Sequence, residues 1–269
     1  MLDGSEHLIG GRLKKIVVSL LALASLNVQA AACSKPIYLT FDTGNMDVAE
    51  HVAQILRKHE VKATFFLANE KTKRGDYSLD DSWASYWQAL KKDGHAFGNH
   101  TYFHTYLVKD FDQSTVIVKS QFGPDANKAR KMSQDGLCAD LNLVKQRFQK
   151  LTGASLDLIW RAPGGKVSAQ YIQMGEACGY RHVGWSKAGF LGDELSSEKF
   201  PNQQLLNKAL NTLQPGDIAM AHLGIWSRKD PWAPVVLEPL IVGLKKKGYC
   251  FDTILSLQQH SEISRIIKP

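Results

Sequence analysis

Residues 35–67 read KPIYLTFDTGNMDVAEHVAQILRKHEVKATFFL, and their periodicities decide the fold class. Residues 35–41 form a near-continuous apolar run that ends at Asp42, the pattern of a strand buried on both faces. Over residues 47–59 the apolar positions Val48, Val52, Ile55 and Leu56 fall on one helical stripe. Residues 63–67 are again short and apolar, a second buried strand. Strand, helix and strand within roughly thirty residues is the repeating unit of a parallel sheet.

The alternation continues along the chain. Residues 83–92 read as a helix, Asp93-Gly94 as a turn and residues 95–98 as a short strand. Residues 140–151 carry Leu141, Val144, Phe148 and Leu151 at helical spacing, and residues 156–160 form a strand. A helix over 168–178 stops at Gly179, and residues 182–185 are a strand. A helix over 203–213, the turn Pro215-Gly216-Asp217 and a strand over 218–221 follow. The last pair is a helix over 234–247, stopped by Gly248, and a strand over 250–253. The expectation is an α/β protein with a parallel sheet, open or closed into a barrel. No internal repeat or low-complexity linker is present, so residues 31–269 are expected to form a single domain. Residues 108–136, rich in Asp, Lys, Ser and Gln, break the rhythm and read as a long loop insertion.

Composition narrows the function classes. With 44% apolar and 22% charged residues, the chain is neither disordered, collagen-like nor a coiled coil. Its net charge of +7 is dispersed. No basic stripe interleaves with aromatics, so no nucleic-acid partner is expected. A mild positive charge suits the anionic polymers of a cell envelope. Arg12, Lys14 and Lys15 precede an apolar run over 16–24, and small residues follow at 30–32. That is the layout of a secretory signal peptide over residues 1–30, cut after Ala30 or Ala32. A lipid-anchored Cys33 is the alternative. No other stretch approaches the ~18 apolar residues of a membrane span. The expected location is therefore periplasmic or secreted, with no membrane span and no partner protein. Export permits disulfides among Cys33, Cys138, Cys178 and Cys250, and three full pairings are open.

In parallel α/β proteins, chemistry gathers at the C-terminal ends of strands. Asp42 stands at the end of the first strand, Asn69 and Glu70 after the second, and His100 and His104 after the third. Arg161 follows the strand over 156–160, and His222 the strand over 218–221. Two histidines four apart lie on one face of a helical turn, where both imidazoles can meet one cation. Two His plus an oxygen donor leave open positions for water and substrate, as a hydrolytic metal needs. Singly, each residue has a plain structural reading: Asp42 as a turn cap, Arg161 as a binder of loop carbonyls, His222 as a satisfied buried histidine. Their joint placement carries the case.

In this order the segments resemble the polysaccharide deacetylase family, the NodB-homology domain of carbohydrate esterase family 4, over roughly residues 35–257. The family's first motif reads here Thr40-Phe41-Asp42-Thr43-Gly44. The second reads Gly94-His95-Ala96-Phe97-Gly98-Asn99-His100-Thr101-Tyr102-Phe103-His104. The third is Arg161-Ala162-Pro163-Gly164-Gly165, and the fifth is the segment from Pro215 to His222. The resemblance implies a distorted (β/α) barrel with seven or eight parallel strands. A Cys33–Cys250 bridge between first and last strands is compatible with its closing.

By the same resemblance, His100 and His104 would hold a divalent metal, zinc being the family's usual ion. Asp42 would be the general base, Arg161 its orienting partner and His222 the general acid. Backbone N–H groups just after Tyr102 would help the oxyanion, and His95 would pack structurally. Tyr102, Pro163, Gly164, Trp185 and Trp226 would line the substrate site, with Tyr102, Trp226 and Trp232 as exposed platforms for sugar rings. Two positions depart from the family. Thr43 stands where a second, metal-binding aspartate belongs, which leaves Thr43, water or Asp42 to fill that place. The fourth motif lacks its aspartates near Trp185, and Asp193 and Glu194 are candidate partners for Arg161. The implied activity is removal of acetyl groups from the amino sugars of a polysaccharide. Peptidoglycan is the leading substrate, with chitooligosaccharide or exopolysaccharide as alternatives. A glycan-binding module without turnover is the competing class.

Overall fold

The computed structural model describes residues 33–257; the expected signal peptide lies outside them. β1 (Pro36–Asp42) is buried almost throughout, as its apolar run requires. α1 (Ala49–Lys58) buries Val52, Ile55 and Leu56, and β2 (Thr64–Leu67) follows. α2 (Ala84–Lys92) leads to β3 (Ala96–Asn99). The chain then forms β4 (Thr105–Asp110), β5 (Thr115–Ser120) and β6 (Ala129–Ser133) before entering α3 (Gln134–Thr152). β7 (Ile159–Trp160), α4 (Ala169–Ala177) and β8 (Arg181–His182) are followed by α5 (Asn202–Thr212) and β9 (Ile218–His222). A π-helical turn over Ala233–Leu237 runs into α6 (Glu238–Lys246), and β10 (Cys250–Phe251) follows.

Seven of these strands make one parallel sheet in the order β10-β1-β2-β3-β7-β8, with β9 also paired to β1. The step from β8 to β9 is irregular. Ser186 N–H donates to the Ile218 carbonyl at 3.0 Å, and an isolated bridge joins Phe190 to Met220. The fold is thus an α/β fold of distorted-barrel type. Phe41, Phe65 and Phe97 stack across β1, β2 and β3 with centroids 5.6 Å apart at each step. Trp87 of α2 and Phe148 of α3 close over this ladder at 6.3 and 4.8 Å from Phe97. Disulfides join Cys33 to Cys250 and Cys138 to Cys178. Among the described residues no helix is long and apolar enough to cross a membrane.

The insertion expected as a loop is instead a three-stranded antiparallel sheet, β4-β5-β6. Val116 and Val118 alternate with Ile117 and Lys119 and are buried with Leu107 and Met132. That period-two pattern is what makes a half-buried strand, and the polar composition around it hid the pattern. The following helix also begins earlier than expected, at Gln134. The Ser133 hydroxyl caps it, accepting from the Gly136 N–H at 3.3 Å.

Candidate active site

Asp42, the last residue of β1, pairs in register with His222, the last of β9. Parallel pairing therefore delivers a carboxylate and an imidazole to the same end of the sheet. Asp42 is 2% exposed. Its Oδ1 accepts from Arg161 Nη1 at 2.8 Å, and Oδ2 lies 3.6 Å from His100 Nε2. Burial alone would push this carboxyl up; the Arg161 guanidinium above all, with the His222 imidazolium, reverses that and holds it below its ordinary value. Arg161 is itself fully buried, its fork held by the carbonyls of Val183 and Gly184 at 3.2 and 3.0 Å, with its guanidinium 4.1 Å from the centre of the Phe66 ring.

His222 is in the opposite state. Burial would lower its pKa, but Asp193 above all, with Asp42 and Glu194, raises it to about 9. Asp193 accepts from the His222 backbone N–H at 2.7 Å and from Nδ1 at 3.2 Å. The partner of Asp193 is thus His222, not Arg161 as expected. Arg161 is already matched by Asp42 and two carbonyls, so it has no need of a second carboxylate. Glu194 Oε2 lies 3.8 Å from His222 Nε2.

The two histidines of the second motif meet, but not through a helical turn. Thr101 and His104 both have left-handed backbone, at φ 59° and 49°, so the segment after β3 is a tight loop. Non-glycine residues hold that conformation only when surroundings impose it. Here the Thr101 N–H donates to Asn99 Oδ1 at 3.0 Å, and the Thr105 N–H to Thr101 Oγ1 at 2.7 Å. Asp140, from α3, accepts from the N–H groups of Tyr102 and Phe103 at 2.6 and 3.4 Å and from Thr105 Oγ1 at 2.9 Å. Those N–H groups are already bonded to Asp140, so the expected oxyanion role for them is not supported. The result places the His100 and His104 ring centroids 4.9 Å apart.

Their nitrogens are set for an electrophile. His100 Nδ1 lies 2.8 Å from the Arg161 carbonyl. A carbonyl only accepts, so Nδ1 carries the proton and Nε2 keeps its lone pair. Burial chiefly lowers the His100 pKa, to about 4, which keeps it neutral at pH 7. His104 is 8% exposed, and its buried Nδ1 has no hydrogen-bond partner. Among the described residues, no three His, Cys, Asp or Glu side chains already close on one ion-sized point. The donor set fits a divalent cation by its chemistry: the neutral His100 imidazole and a His104 imidazole with an orphaned buried nitrogen, beside carboxylates.

Thr43 is fully buried. Its hydroxyl donates to Glu70 Oε1 at 2.6 Å and accepts from the Ala68 N–H at 3.2 Å. The Gly44 N–H also donates to Glu70 Oε1, at 2.7 Å. Gly44 has φ 65°, and an added Cβ would lie 2.1 Å from the Gly224 carbonyl oxygen, so only glycine fits there. Burial would raise the Glu70 pKa, but the His104 ring, the Thr43 hydroxyl and the Gly44 N–H bring it below the ordinary value.

A cleft of about 420 Å³ opens over these groups, lined by Glu70, His104, His222, Gly164, Glu194 and Trp226 among others. Trp226 is 54% exposed on its rim. Tyr106, from β4, and Gln121, which follows β5, also line it, with the Tyr106 hydroxyl donating to Gln121 Oε1 at 2.9 Å. Pro163 is buried, and Trp185 packs near Arg161, 5.6 Å from its guanidinium. Tyr102 is half-buried, its hydroxyl accepting from Asn69 Nδ2 at 3.0 Å. Trp232, expected as an exposed platform, is 3% exposed and belongs to the core. His95 packs structurally, its Nδ1 accepting from the Ala63 N–H at 3.1 Å.

Asp140, Tyr106 and Gln121 had no role in the sequence pattern, and Glu70 stood out only as a polar strand-end residue. For Glu70 a signal existed: a carboxylate at one strand end beside a threonine where a carboxylate was due at the next. Asp140 carried none, since its contacts exist only once α3 packs on the histidine loop.

A parallel α/β sheet with an ionised carboxylate, a protonated imidazole and a further pair of imidazoles at its C-terminal ends carries the groups a hydrolytic protein needs. The model of the polysaccharide deacetylase family matches residues 29–183. The chain belongs to that family, and with it to the hydrolases acting on linear amide C–N bonds. It is 28% identical over 228 residues to a chitooligosaccharide deacetylase of Azorhizobium caulinodans, covering 81% of this chain and 92% of that one. It is 27% identical over 230 residues to the peptidoglycan-N-acetylmuramic acid deacetylase PdaA of Bacillus subtilis, covering 85% and 73%. The crystal structure of the peptidoglycan deacetylase PdaC of Bacillus subtilis superposes with a TM-score of 0.61 at 18% identity, over 84% of this chain and 90% of that one, a likeness of fold.

Proposed function

We propose that the protein is an exported, divalent-metal-dependent N-deacetylase that removes acetyl groups from the amino sugars of peptidoglycan. The observation that carries this reading is the pair Asp42 and His222. They are register partners on β1 and β9, and their surroundings push their protonation states apart. A base that is ionised and an acid that is protonated at the same pH are what amide hydrolysis requires. A module that only binds glycan would need no such pair.

His100 and His104 would hold the ion. When bound, it would polarise the acyl carbonyl and lower the pKa of the attacking water, and zinc suits the imidazole donors. The chain's own residues supply the proton traffic. Asp42, oriented by Arg161, takes a proton from the water as its oxygen attacks the carbonyl carbon. His222, held by Asp193, gives its proton to the nitrogen as the C–N bond breaks. Acetate and a free amino sugar leave. Trp226 on the rim offers a face to a sugar ring, while Pro163, Gly164, Tyr102 and Trp185 shape the walls or what lies behind them. Thr43 touches the site through Glu70.

Two disulfides support export, because they persist in oxidising compartments. The mild positive charge suits an anionic envelope polymer, and the relatives named for peptidoglycan favour it over free chitooligosaccharide. The test is a substrate panel. Purified protein is given N-acetylated peptidoglycan, chitooligosaccharides and an acetylated exopolysaccharide, and released acetate is followed together with the mass of the sugar product. Fastest release from peptidoglycan supports the assignment; faster release from chitooligosaccharide moves the substrate.

A further inference from the structure

Position 43 holds a hydroxyl where the resemblance expects a carboxylate, and a neutral hydroxyl is a weak ligand for a divalent cation. The structure supplies a carboxylate next door. Glu70 follows β2, reaches the end of β1 and accepts from both Thr43 Oγ1 and the Gly44 N–H on Oε1, at 2.6 and 2.7 Å. Its head group therefore stands directly against the side chain that lacks one. Among the described residues no hydrogen bond falls on Oε2, and Glu70 lines the cleft beside His104.

The other carboxylates near the histidines already have partners, Asp140 among them through the N–H groups of Tyr102 and Phe103 and the Thr105 hydroxyl. Asp42 is paired with Arg161 through Oδ1, with its Oδ2 3.6 Å from His100 Nε2, and Asp193 is paired with His222. Glu194 is partly exposed and lies within 3.8 Å of His222. Glu70 is buried without a lysine, arginine or histidine ion-pair partner among the described residues, and unlike Asp140 it lines the cleft. A buried carboxylate without a cation is costly. Independently, His104, which lines the same cleft, has a buried Nδ1 with no hydrogen-bond partner. A carboxylate short of a cation and an imidazole short of an electrophile face one cleft. They are not already closed on one point; what they share is availability.

We infer that Glu70 supplies the carboxylate ligand that position 43 lacks, so that His100, His104 and Glu70 together bind the divalent cation. This rests on the metal-dependent reading above. Thr43 then supports the ligand instead of being one. Its hydroxyl and the Gly44 N–H fix one carboxylate oxygen and leave the other for the ion, the kind of outer support that metal ligands need.

The experiment is a zinc titration by calorimetry on the full chain, stripped with chelator, for wild type, Glu70→Gln, His104→Ala and the double variant Thr43→Asp/Glu70→Gln. Glutamine keeps an Oε1 that can accept from Thr43 and Gly44, so the metal-free protein should keep its thermal midpoint while losing the charge. The expected result is one zinc bound by wild type, affinity weakened by roughly 100-fold or more in Glu70→Gln, and substantial recovery in the double variant, which returns a carboxylate to position 43. If Glu70→Gln binds zinc as wild type does while His104→Ala does not, the role of Glu70 is overturned and the deacetylase reading stands. If wild type binds no divalent ion, both fall. If Glu70→Gln loses its metal-free midpoint, Glu70→Asp is titrated in its place, since it keeps the charge but shortens the reach. Zinc binding weakened by roughly tenfold or more in that variant supports the ligand role, and wild-type affinity overturns it.

Discussion

Asp42 and His222 are register partners across the β1–β9 ladder, and each has its own counter-charge: Arg161 Nη1 at 2.8 Å from Asp42 Oδ1, and Asp193 at 3.2 Å from His222 Nδ1. Two parallel strands thus deliver a carboxylate and an imidazole side by side, and two further segments set their protonation states. The ladder does the positioning, so neither residue depends on a mobile loop for its place.

Replacing Arg161 tests the first of these pairs. Arg161→Ala leaves a buried carboxylate unmatched and should cost about 3–5 kcal/mol of stability, read by urea unfolding. Arg161→Ala/Asp42→Asn removes the stranded charge and should recover a good part of that loss. Equal destabilisation by both variants would mean that Arg161 works mainly by packing on Phe66.

The pH dependence follows from the directions of the two shifts. Asp42 lies below its ordinary value and His222 is raised to about 9, so turnover should hold across neutral pH and fall as pH rises through about 9. Asp193→Asn removes the largest cause of the upward His222 shift and should move that alkaline limb to lower pH. Stability carries the same sign. A raised imidazole contributes stability that is fully present below its ordinary value near 6.5 and is lost as pH rises through about 9. The thermal midpoint should therefore decline over that window in wild type and less so in His222→Gln.

Asp140 predicts a remote effect on His100 and His104. It ties down the backbone of Tyr102 and Phe103 between the two histidines. Asp140→Ala should cost about 1–3 kcal/mol by stranding those N–H groups, and zinc titration should show weaker binding although no donor has been touched. Unchanged zinc affinity would show that the left-handed loop holds itself.

How much of this the sequence disclosed depends on the range of the interaction. β1, α1 and β2 were legible because burial writes a local period into each of them. The placement of Asp42, His100, His104, Arg161 and His222 was legible because strand ends converge in any parallel sheet. The histidine loop was not, because four-residue spacing fits a helical turn as well as a loop, and only Asn99 and Asp140 choose between them. The inserted sheet was hidden because Lys109, Lys119, Lys128 and Lys131 mask a two-residue alternation. The Asp193–His222 pair is 29 residues apart in sequence, and nothing local announces it.

The disulfides give a prediction on stability alone. Cys33 and Cys250 are separated by 217 residues, so Cys33→Ser/Cys250→Ser should lose up to about 5 kcal/mol on the loop-entropy view. Cys138 and Cys178 are separated by 40, so Cys138→Ser/Cys178→Ser should lose up to about 4 kcal/mol. Chemical unfolding of each variant reads the difference. A loss in the first that is clearly smaller than in the second would contradict the ordering.

The most direct measurement is acetate release from N-acetylated peptidoglycan by zinc-loaded wild type and Asp42→Asn, with zinc content determined on the same samples. The account predicts turnover by wild type that chelator abolishes, and a loss of about 10²–10⁴-fold in Asp42→Asn with its zinc retained. Asp42→Asn turning over at the wild-type rate, with zinc in place, would contradict it.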